Sequence, residues 1–263
     1  MGSRKYEIDL IMKYTRIAWI ALISLAWACS PKPAEEVTEE VAEVILPDNS
    51  LSEDEKSAGW MLLFDGVNTD GWRAFNGDSL PANWTVEDGA LKGLGHEGGD
   101  VGGDIVFAPM PFEQFEMEFT WKIATGGNSG VFYHVVEDPK YAAPYYTGPE
   151  YQVIDQLGFL QPLEDWQSLA ADYAMYVPDF EGVVKPAGEW NVSKIIFTNE
   201  KAEYYLNGKK TVEFVPYSED WKTKRNSGKW DAFPDYAISK SGLIALQDHG
   251  SEVWFKNIKI RTL

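Results

Sequence analysis

The sequence predicts an all-β domain, a sandwich of antiparallel sheets. From Gly59 onward it consists of short segments separated by turn signals, and helical periodicity never extends beyond a few turns. The clearest strand is Phe115–Ile123, where apolar and polar residues alternate and so place one face in a core and the other in water. A length of 263 residues with 44% hydrophobic content suits one large core.

Two tight hairpins are predicted, at Asp88-Gly89 and at Asn207-Gly208. Both dipeptides tolerate the positive φ of two-residue hairpin turns, and both lie between segments of strand-like composition. Further strands are expected at residues 104–108, 130–136, 151–155, 190–198, 242–246 and 253–260.

The last of these strands carries a change of phase. Val253 and Phe255 share one periodicity, whereas Ile258 and Ile260 share the other. Because side chains alternate strictly along a strand, an inserted residue is needed to keep all four on one face. The pattern therefore predicts a bulge near Asn257.

Three long irregular stretches separate the strands, at residues 138–148, 158–188 and 216–241. Loops of this length in a compact domain usually carry function. Aromatic and acidic side chains within them would suit the walls of a sugar cleft: Tyr141, Tyr145, Tyr146, Trp166, Asp172, Tyr173, Tyr176, Trp221 and Trp230.

The charge balance argues against a nucleic-acid partner. The chain carries 23 Lys and Arg against 41 Asp and Glu, a formal net charge of −18. Binding to a phosphate backbone would need a local basic patch, and the sequence contains none.

The N-terminus is predicted to be a targeting segment. Basic residues precede an apolar run at residues 17–28, which is too short to span a bilayer, and the only cysteine, Cys29, follows directly. We expect residues 1–28 to be a lipoprotein signal peptide, Cys29 to carry lipid, and residues 29–57, which are acidic and proline-containing, to form a disordered tether. The protein would then be exported, and anchored at the outer membrane through lipid alone. The alternative is an unlipidated cysteine at the end of an uncleaved anchor.

Residues 58–263 form the predicted globular domain, and seven of its segments resemble the 3-keto-disaccharide hydrolase family. They are 63–66 (LFDG) with 71–72 (GW), 127–134 (GNSGVFYH), 148–155 (GPEYQVID), 185–191 (KPAGEWN), 206–208 (LNG), 246–250 (LQDHG) and 253–260 (VWFKNIKI). The resemblance implies a concanavalin-like jelly roll whose concave sheet floors a carbohydrate cleft. His134 stands where many family members have arginine.

The resemblance also implies an enzyme that cleaves 3-keto-glycosides, as a glycoside hydrolase or as a 1,2-lyase or hydratase. A ketone at C3 acidifies the C2 hydrogen, so a base can remove that proton and the glycosidic oxygen can leave from C1. The site must supply a base near C2 and a cation or strong donor near the C3 oxygen. The alternative function is a non-catalytic glycan-binding surface lipoprotein, because the same fold also serves lectins.

Three residues are the catalytic candidates within these motifs: Glu150, Asp248 and His249. Glu150 shares one strand face with Gln152, while Tyr151 and Val153 take the other. This polar pair indicates either a concave site or a solvated outer face of the sheet. Asp248 and His249 could form a base with its orienter or two ligands for a divalent cation; otherwise no cofactor is implied. A turn-capping Asp beside an exposed His explains the same pair. We expect Glu150, Gln152, Asp248 and His249 to converge on one pocket.

The remaining candidates would bind an oligosaccharide or a 3-keto-glycoside. His134 either points into the cleft, in phase with Phe132, or is a satisfied core histidine. Asn128 either binds sugar hydroxyls or simply suits a glycine-flanked turn. The full set of expected substrate-binding residues is Asn128, His134, Gln152, Asp155, Asp172, Tyr173 and Gln247.

Overall fold

A computed structural model of the protein describes residues 46–95 and 103–263. Within these ranges the strands are β1 (Met61–Leu62), β2 (Trp72–Ala74), β3 (Trp84–Glu87), β4 (Ala90–Leu94), β5 (Ile105–Phe112), β6 (Phe115–Ile123), β7 (Asn128–Val135), β8 (Glu150–Ile154), β9 (Asn191–Phe197), β10 (Ala202–Leu206), β11 (Lys209–Phe214), β12 (Gly242–Leu246) and β13 (Glu252–Thr262). Two α-helices accompany them, α1 (Glu53–Ser57) and α2 (Glu219–Arg225).

The strands form two antiparallel sheets, as the sequence predicted. An eight-stranded sheet runs in the order β11-β10-β9-β6-β13-β4-β3, with β1 paired to β13, and a five-stranded sheet runs β2-β5-β12-β7-β8. This is a concanavalin-like jelly roll. The non-sequential neighbours mean that chemistry on the smaller sheet is assembled from segments far apart in the chain.

The core lies between the two sheets and follows from the alternation along β6. Phe115, Met117, Phe119 and Trp121 are buried, whereas the intervening charged side chains are partly exposed. Opposite them, the smaller sheet contributes a set of inward-facing residues: Val131, Tyr133, Tyr151, Val153, Ile244 and Leu246. Each such burial stabilises the fold by about 1.5–3 kcal/mol relative to exposure, which fixes the face that each strand turns inward.

Both predicted hairpins and the predicted bulge are confirmed. The strands β3 and β4 pair around Asp88-Gly89, and β10 and β11 pair around Asn207-Gly208. In β13 the register shifts between Lys256 and Lys259, and Asn257 has φ 51°. The extra residue keeps Val253, Phe255, Ile258 and Ile260 all in the core.

The expectation that residues 216–241 are irregular is wrong in part. Ser218 caps α2 by accepting a hydrogen bond from the backbone N–H of Trp221, and acidic residues fill the first turn of the helix. Trp221 and Trp230, expected in a cleft wall, are instead buried in the core. Both indoles pack among other rings, Trp221 on Phe214 and Trp230 on Tyr236.

Residues 46–57, which the sequence predicted as part of a disordered tether, contact the domain. Within residues 46–57, Asp48 pairs with Lys256, Asn49 bonds the backbone of Asn257, and Ser52 with Glu55 forms a capping box for α1. These contacts tie the segment to β13, so the ordered domain begins before residue 58. The expected signal peptide and Cys29 lie outside the described residues. The described residues contain no helix long and apolar enough to cross a membrane.

The outer edge of the smaller sheet is covered by the chain that follows it. The N–H of Gln152 donates to the carbonyl of Ala171, and the carbonyl of Gln152 accepts in return from the N–H of Ala170. The N–H of Tyr173 donates to the carbonyl of Glu150. This pairing satisfies the edge of β8 and brings residues 170–173 alongside it. Tyr173 is thereby fixed next to Glu150.

Candidate functional site

A pocket of about 180 Å3 opens on the face of the five-stranded sheet turned away from the core. Because Tyr151 and Val153 point inward, Glu150 and Gln152 must point to this outer face. They lie on β8 opposite Phe132 and Gly130 of β7. The described lining residues are Asn128, Tyr145, Glu150, Gln152, Tyr173, Lys229, Phe233, Gln247 and His249.

Gly130 makes the room in which the Glu150 side chain lies. A Cβ added at Gly130 would stand 2.3 Å from Glu150 Oε1 and 2.9 Å from its Cδ. Real carbon atoms do not approach so closely, so any larger residue at position 130 would displace the carboxylate. Glu150 is only 4% exposed and is therefore held against the sheet at the base of the pocket.

Three carboxamide oxygens give the pocket hydrogen-bond acceptors. Asn128 Oδ1, Gln152 Oε1 and Gln247 Oε1 are buried, and no hydrogen-bond donor among the described residues reaches them. The orientation of Gln152 is set by its Nε2, which donates to the carbonyl of Gln167 at 3.2 Å. A buried acceptor left unsatisfied costs about 1–3 kcal/mol, so hydroxyl groups of a ligand would be favoured here.

Aromatic rings and a lysine form the rim: the sequence predicted Tyr145 and Tyr173 as cleft residues but missed Phe233 and Lys229. Tyr145 meets Phe233 edge to face with ring centroids 5.5 Å apart. Lys229 Nζ lies 4.1 Å from the centroid of Tyr173 and 5.6 Å from that of Tyr145. The sequence feature that could have drawn attention to Lys229 is its position beside Trp230 in the long segment 216–241. Nothing in the sequence, however, places this segment near β8.

The expected convergence of four residues is right for three and wrong for Asp248. Glu150, Gln152 and His249 line the pocket, and Gln247 joins them. Asp248 turns the other way, where its carboxylate accepts hydrogen bonds from the Asn83 side chain and from the N–H of Gly250. Adjacent residues in an extended segment point to opposite sides, so Asp248 and His249 cannot both face the pocket. Asp248 is the turn-capping residue of the alternative interpretation.

His134 is a core histidine and does not reach the pocket. It has φ 54°, and the pairing of β7 with β12 shifts register beside it, so a bulge breaks its phase with Phe132. The ring packs edge-on against Phe115 and Phe197, and its Nε2 is 2.8 Å from the carbonyl of Glu113. Burial lowers the pKa of His134 from 6.5 to about 4, which leaves the ring neutral at pH 7.

Asp155 and Asp172 also lie away from the pocket lining. Asp155 organises the loop after β8 by accepting from the N–H groups of Gly126, Leu157 and Gly158. Asp172 is fully buried. Its side chain points away from the pocket because successive residues of this extended segment face opposite sides, and the next residue, Tyr173, faces the pocket. Burial raises the pKa of Asp172 well above its usual range, and the nearby charge of Glu150 adds to the effect. Of the adjacent residues Asp172 and Tyr173, only Tyr173 lines the pocket.

The described residues provide no ready-made metal centre. Within residues 46–95 and 103–263, no three His, Cys, Asp or Glu side chains are grouped so that they could share an ion. The pairing of Asp248 with His249 as two ligands fails for the geometric reason given above. The cationic group that the geometry does bring to the pocket is Lys229.

Comparison with known proteins relates the whole domain to one family. The family described as a 3-keto-alpha-glucoside-1,2-lyase-like domain matches residues 59–261. A 3-keto-disaccharide hydrolase from Bacteroides thetaiotaomicron is 32% identical over 234 residues, which cover 78% of this chain and 79% of that protein.

Two crystal structures from Parabacteroides distasonis share the fold, and both are described as candidate glycosyl hydrolases. The first is 47% identical, with a TM-score of 0.76 over 82% of this chain and 100% of the other. The second is 28% identical, with a TM-score of 0.59 over 78% of this chain and 99% of the other.

Proposed function

Because the chain belongs to the 3-keto-alpha-glucoside-1,2-lyase-like family and is an enzyme of the glycoside hydrolase type, we propose that it cleaves 3-keto-glycosides by elimination across C1 and C2. A base removes the proton at C2, and its electron pair forms an enolate whose charge rests on the C3 oxygen. The enolate then re-forms the ketone as a C1–C2 double bond appears and the C1–O bond breaks. The leaving alkoxide takes up a proton, and addition of water to the unsaturated sugar completes a net hydrolysis.

The observation that carries this proposal is the number of carboxylates in the pocket. Ordinary glycosidases flank the scissile bond with two carboxyl groups, one as acid and one as base or nucleophile. Among the described lining residues Glu150 is the only carboxylate. Elimination beside a ketone needs one base and a stabilised enolate, which such a pocket can supply.

We assign the base to Glu150 and the proton donor for the leaving oxygen to His249. Glu150 is set into the sheet by the space at Gly130, whereas His249 is partly exposed at the end of the segment after β12. The carboxamide oxygens of Asn128, Gln152 and Gln247 would accept hydrogen bonds from sugar hydroxyls. Tyr145 and Tyr173 would provide ring surface beside the sugar.

A matched pair of substrates tests the proposed function. The purified domain should release the aglycone from an aryl 3-keto-glucoside and leave the corresponding unoxidised glucoside intact, because only the ketone acidifies the C2 hydrogen. Product release is followed by absorbance and by mass spectrometry. Equal cleavage of the two sugars would indicate ordinary hydrolysis, whereas binding of sugars without any turnover would indicate a glycan-binding protein.

The proposal extends to where the enzyme acts. Basic residues, an apolar run at 17–28 and Cys29 follow one another in the order of a lipoprotein signal, which supports export and a lipid anchor at the outer membrane. Replacing Cys29 by Ala should move the protein from the membrane fraction to the soluble fraction of cells that express the full chain. Unchanged fractionation of Cys29→Ala would contradict the anchor.

A further inference from the structure

The proposed elimination places negative charge on the C3 oxygen, and the pocket holds a group suited to it. We propose that Lys229 is a catalytic residue whose ammonium stabilises the enolate oxygen at C3. This inference rests on the proposed function and adds the electrophilic half of the site. Lys229 is the only lysine or arginine among the described lining residues.

The backbone around Lys229 is held firmly. Lys229 lies in a 3-10 helix, Gly228–Ala232. The next residue in this helix, Trp230, is buried and stacked on Tyr236 with ring centroids 3.5 Å apart. Arg225 at the end of α2 donates to the carbonyls of Tyr236 and Pro234, so it braces the segment that follows. Position 229 is therefore fixed at the mouth of the pocket although its side chain reaches solvent.

Aromatic rings direct the ammonium toward the pocket. Its Nζ lies 4.1 Å from the centroid of Tyr173, 4.9 Å from that of Trp230 and 5.6 Å from that of Tyr145. The negative faces of these rings attract a cation. Tyr173 and Tyr145 line the pocket themselves, so the charge is placed where a bound sugar would meet it.

A positioned cation acts on the transition state more than on the ground state. The ketone oxygen of the substrate carries only partial charge, whereas the enolate oxygen carries a full one, and a preorganised positive group favours the second. Loss of one such group typically lowers kcat by about 10²–10³-fold. The expected signature of a Lys229 variant is thus a lower kcat with a nearly unchanged KM.

The test compares Lys229→Met with a control, Lys224→Met, on an aryl 3-keto-glucoside. Lys224 also places its ammonium over a tyrosine ring, Tyr176, but does not line the pocket. We expect Lys229→Met to lower both kcat and the rate of C2 hydrogen exchange on the order of 10²-fold, and Lys224→Met to leave both unchanged. Circular dichroism and thermal unfolding confirm that both variants fold.

A rescue experiment separates charge from shape. Lys229→Cys is made in a chain with Cys29 replaced by Ser, and alkylation with 2-bromoethylamine rebuilds an ammonium of similar reach at position 229. Recovery of kcat after alkylation supports the proposal. An unchanged kcat in Lys229→Met, whether or not KM is raised, overturns the proposed role of Lys229. The proposed function still stands in that case, provided that the wild-type enzyme is active. If the wild-type protein neither cleaves the glycosidic bond of the 3-keto-glucoside nor exchanges the C2 hydrogen of this substrate, the proposed function itself is contradicted.

Discussion

Replacing Glu150 by Gln should lower turnover of a 3-keto-glycoside by a factor on the order of 10² or more. Gln keeps the shape of the side chain, so it still fits the space above Gly130, but it has no basicity with which to remove the C2 proton. The amide can still take part in hydrogen bonds, and substrate binding should survive. Steady-state kinetics give the loss of kcat, and calorimetry with an unreactive substrate analogue gives the affinity.

Glu203→Gln is the matched control for this change. Glu203 is another buried carboxylate, 7% exposed against 4% for Glu150, but it pairs with Lys201 and Lys210 on the larger sheet. It should change stability and leave kcat intact. If Glu150→Gln turns over normally while His249→Asn is inactive, the base is the histidine. If both variants match the wild-type enzyme, this pocket is not the site of the reaction.

Replacing Gly130 by Ala should lower turnover although no proposed catalytic side chain is replaced. The new methyl group would stand 2.3 Å from Glu150 Oε1, so the carboxylate must move off the sheet. Gly130 does not have positive φ, so its backbone accepts alanine. A displacement of the order of 1 Å in a catalytic group can cost about 10²-fold in rate. The measurement is kcat of Gly130→Ala, together with its unfolding temperature.

Gly93→Ala provides the control for placing a methyl group in a strand. Gly93 lies in β4, where an added Cβ would meet Val253 at 3.2 Å and no pocket residue. This variant should lose some stability and keep its kcat. Wild-type turnover in a folded Gly130→Ala variant would mean that the position of Glu150 in the structure is not its working position.

The strands could be predicted from sequence because their signals are local. The alternation of apolar and polar residues in Phe115–Ile123 indicates that one face of this strand is buried, and Asp88-Gly89 indicates a tight turn. Both signals are contained in the residues themselves and do not depend on the rest of the chain. The bulge at Asn257 was visible because apolar residues on both sides of it change phase. The bulge at His134 was not, since Phe132 and His134 keep the spacing of a regular strand and the irregularity appears only in the pairing with β12.

The site could be predicted only where a strand fixed the direction of its side chains. Glu150 and Gln152 were found because period two separates them from the core residues Tyr151 and Val153. Lys229 was missed because no strand periodicity fixes the direction of its side chain, and only tertiary packing of the Trp230 segment brings it to β8. The assignment of Asp248 was wrong because sequence adjacency to His249 suggested a pair, whereas neighbours in extended chain diverge.

The central claim is that the C2 proton of the substrate is removed during cleavage, and solvent deuterium tests it most directly. The enzyme is incubated with a 3-keto-glycoside in D2O, and recovered substrate and product are examined by NMR at partial conversion. Samples without enzyme and with Glu150→Gln measure spontaneous exchange. The proposed elimination predicts that the C2 hydrogen is lost or replaced by deuterium at the rate of enzymatic turnover. Cleavage that retains the C2 hydrogen throughout would contradict it and indicate direct displacement at C1.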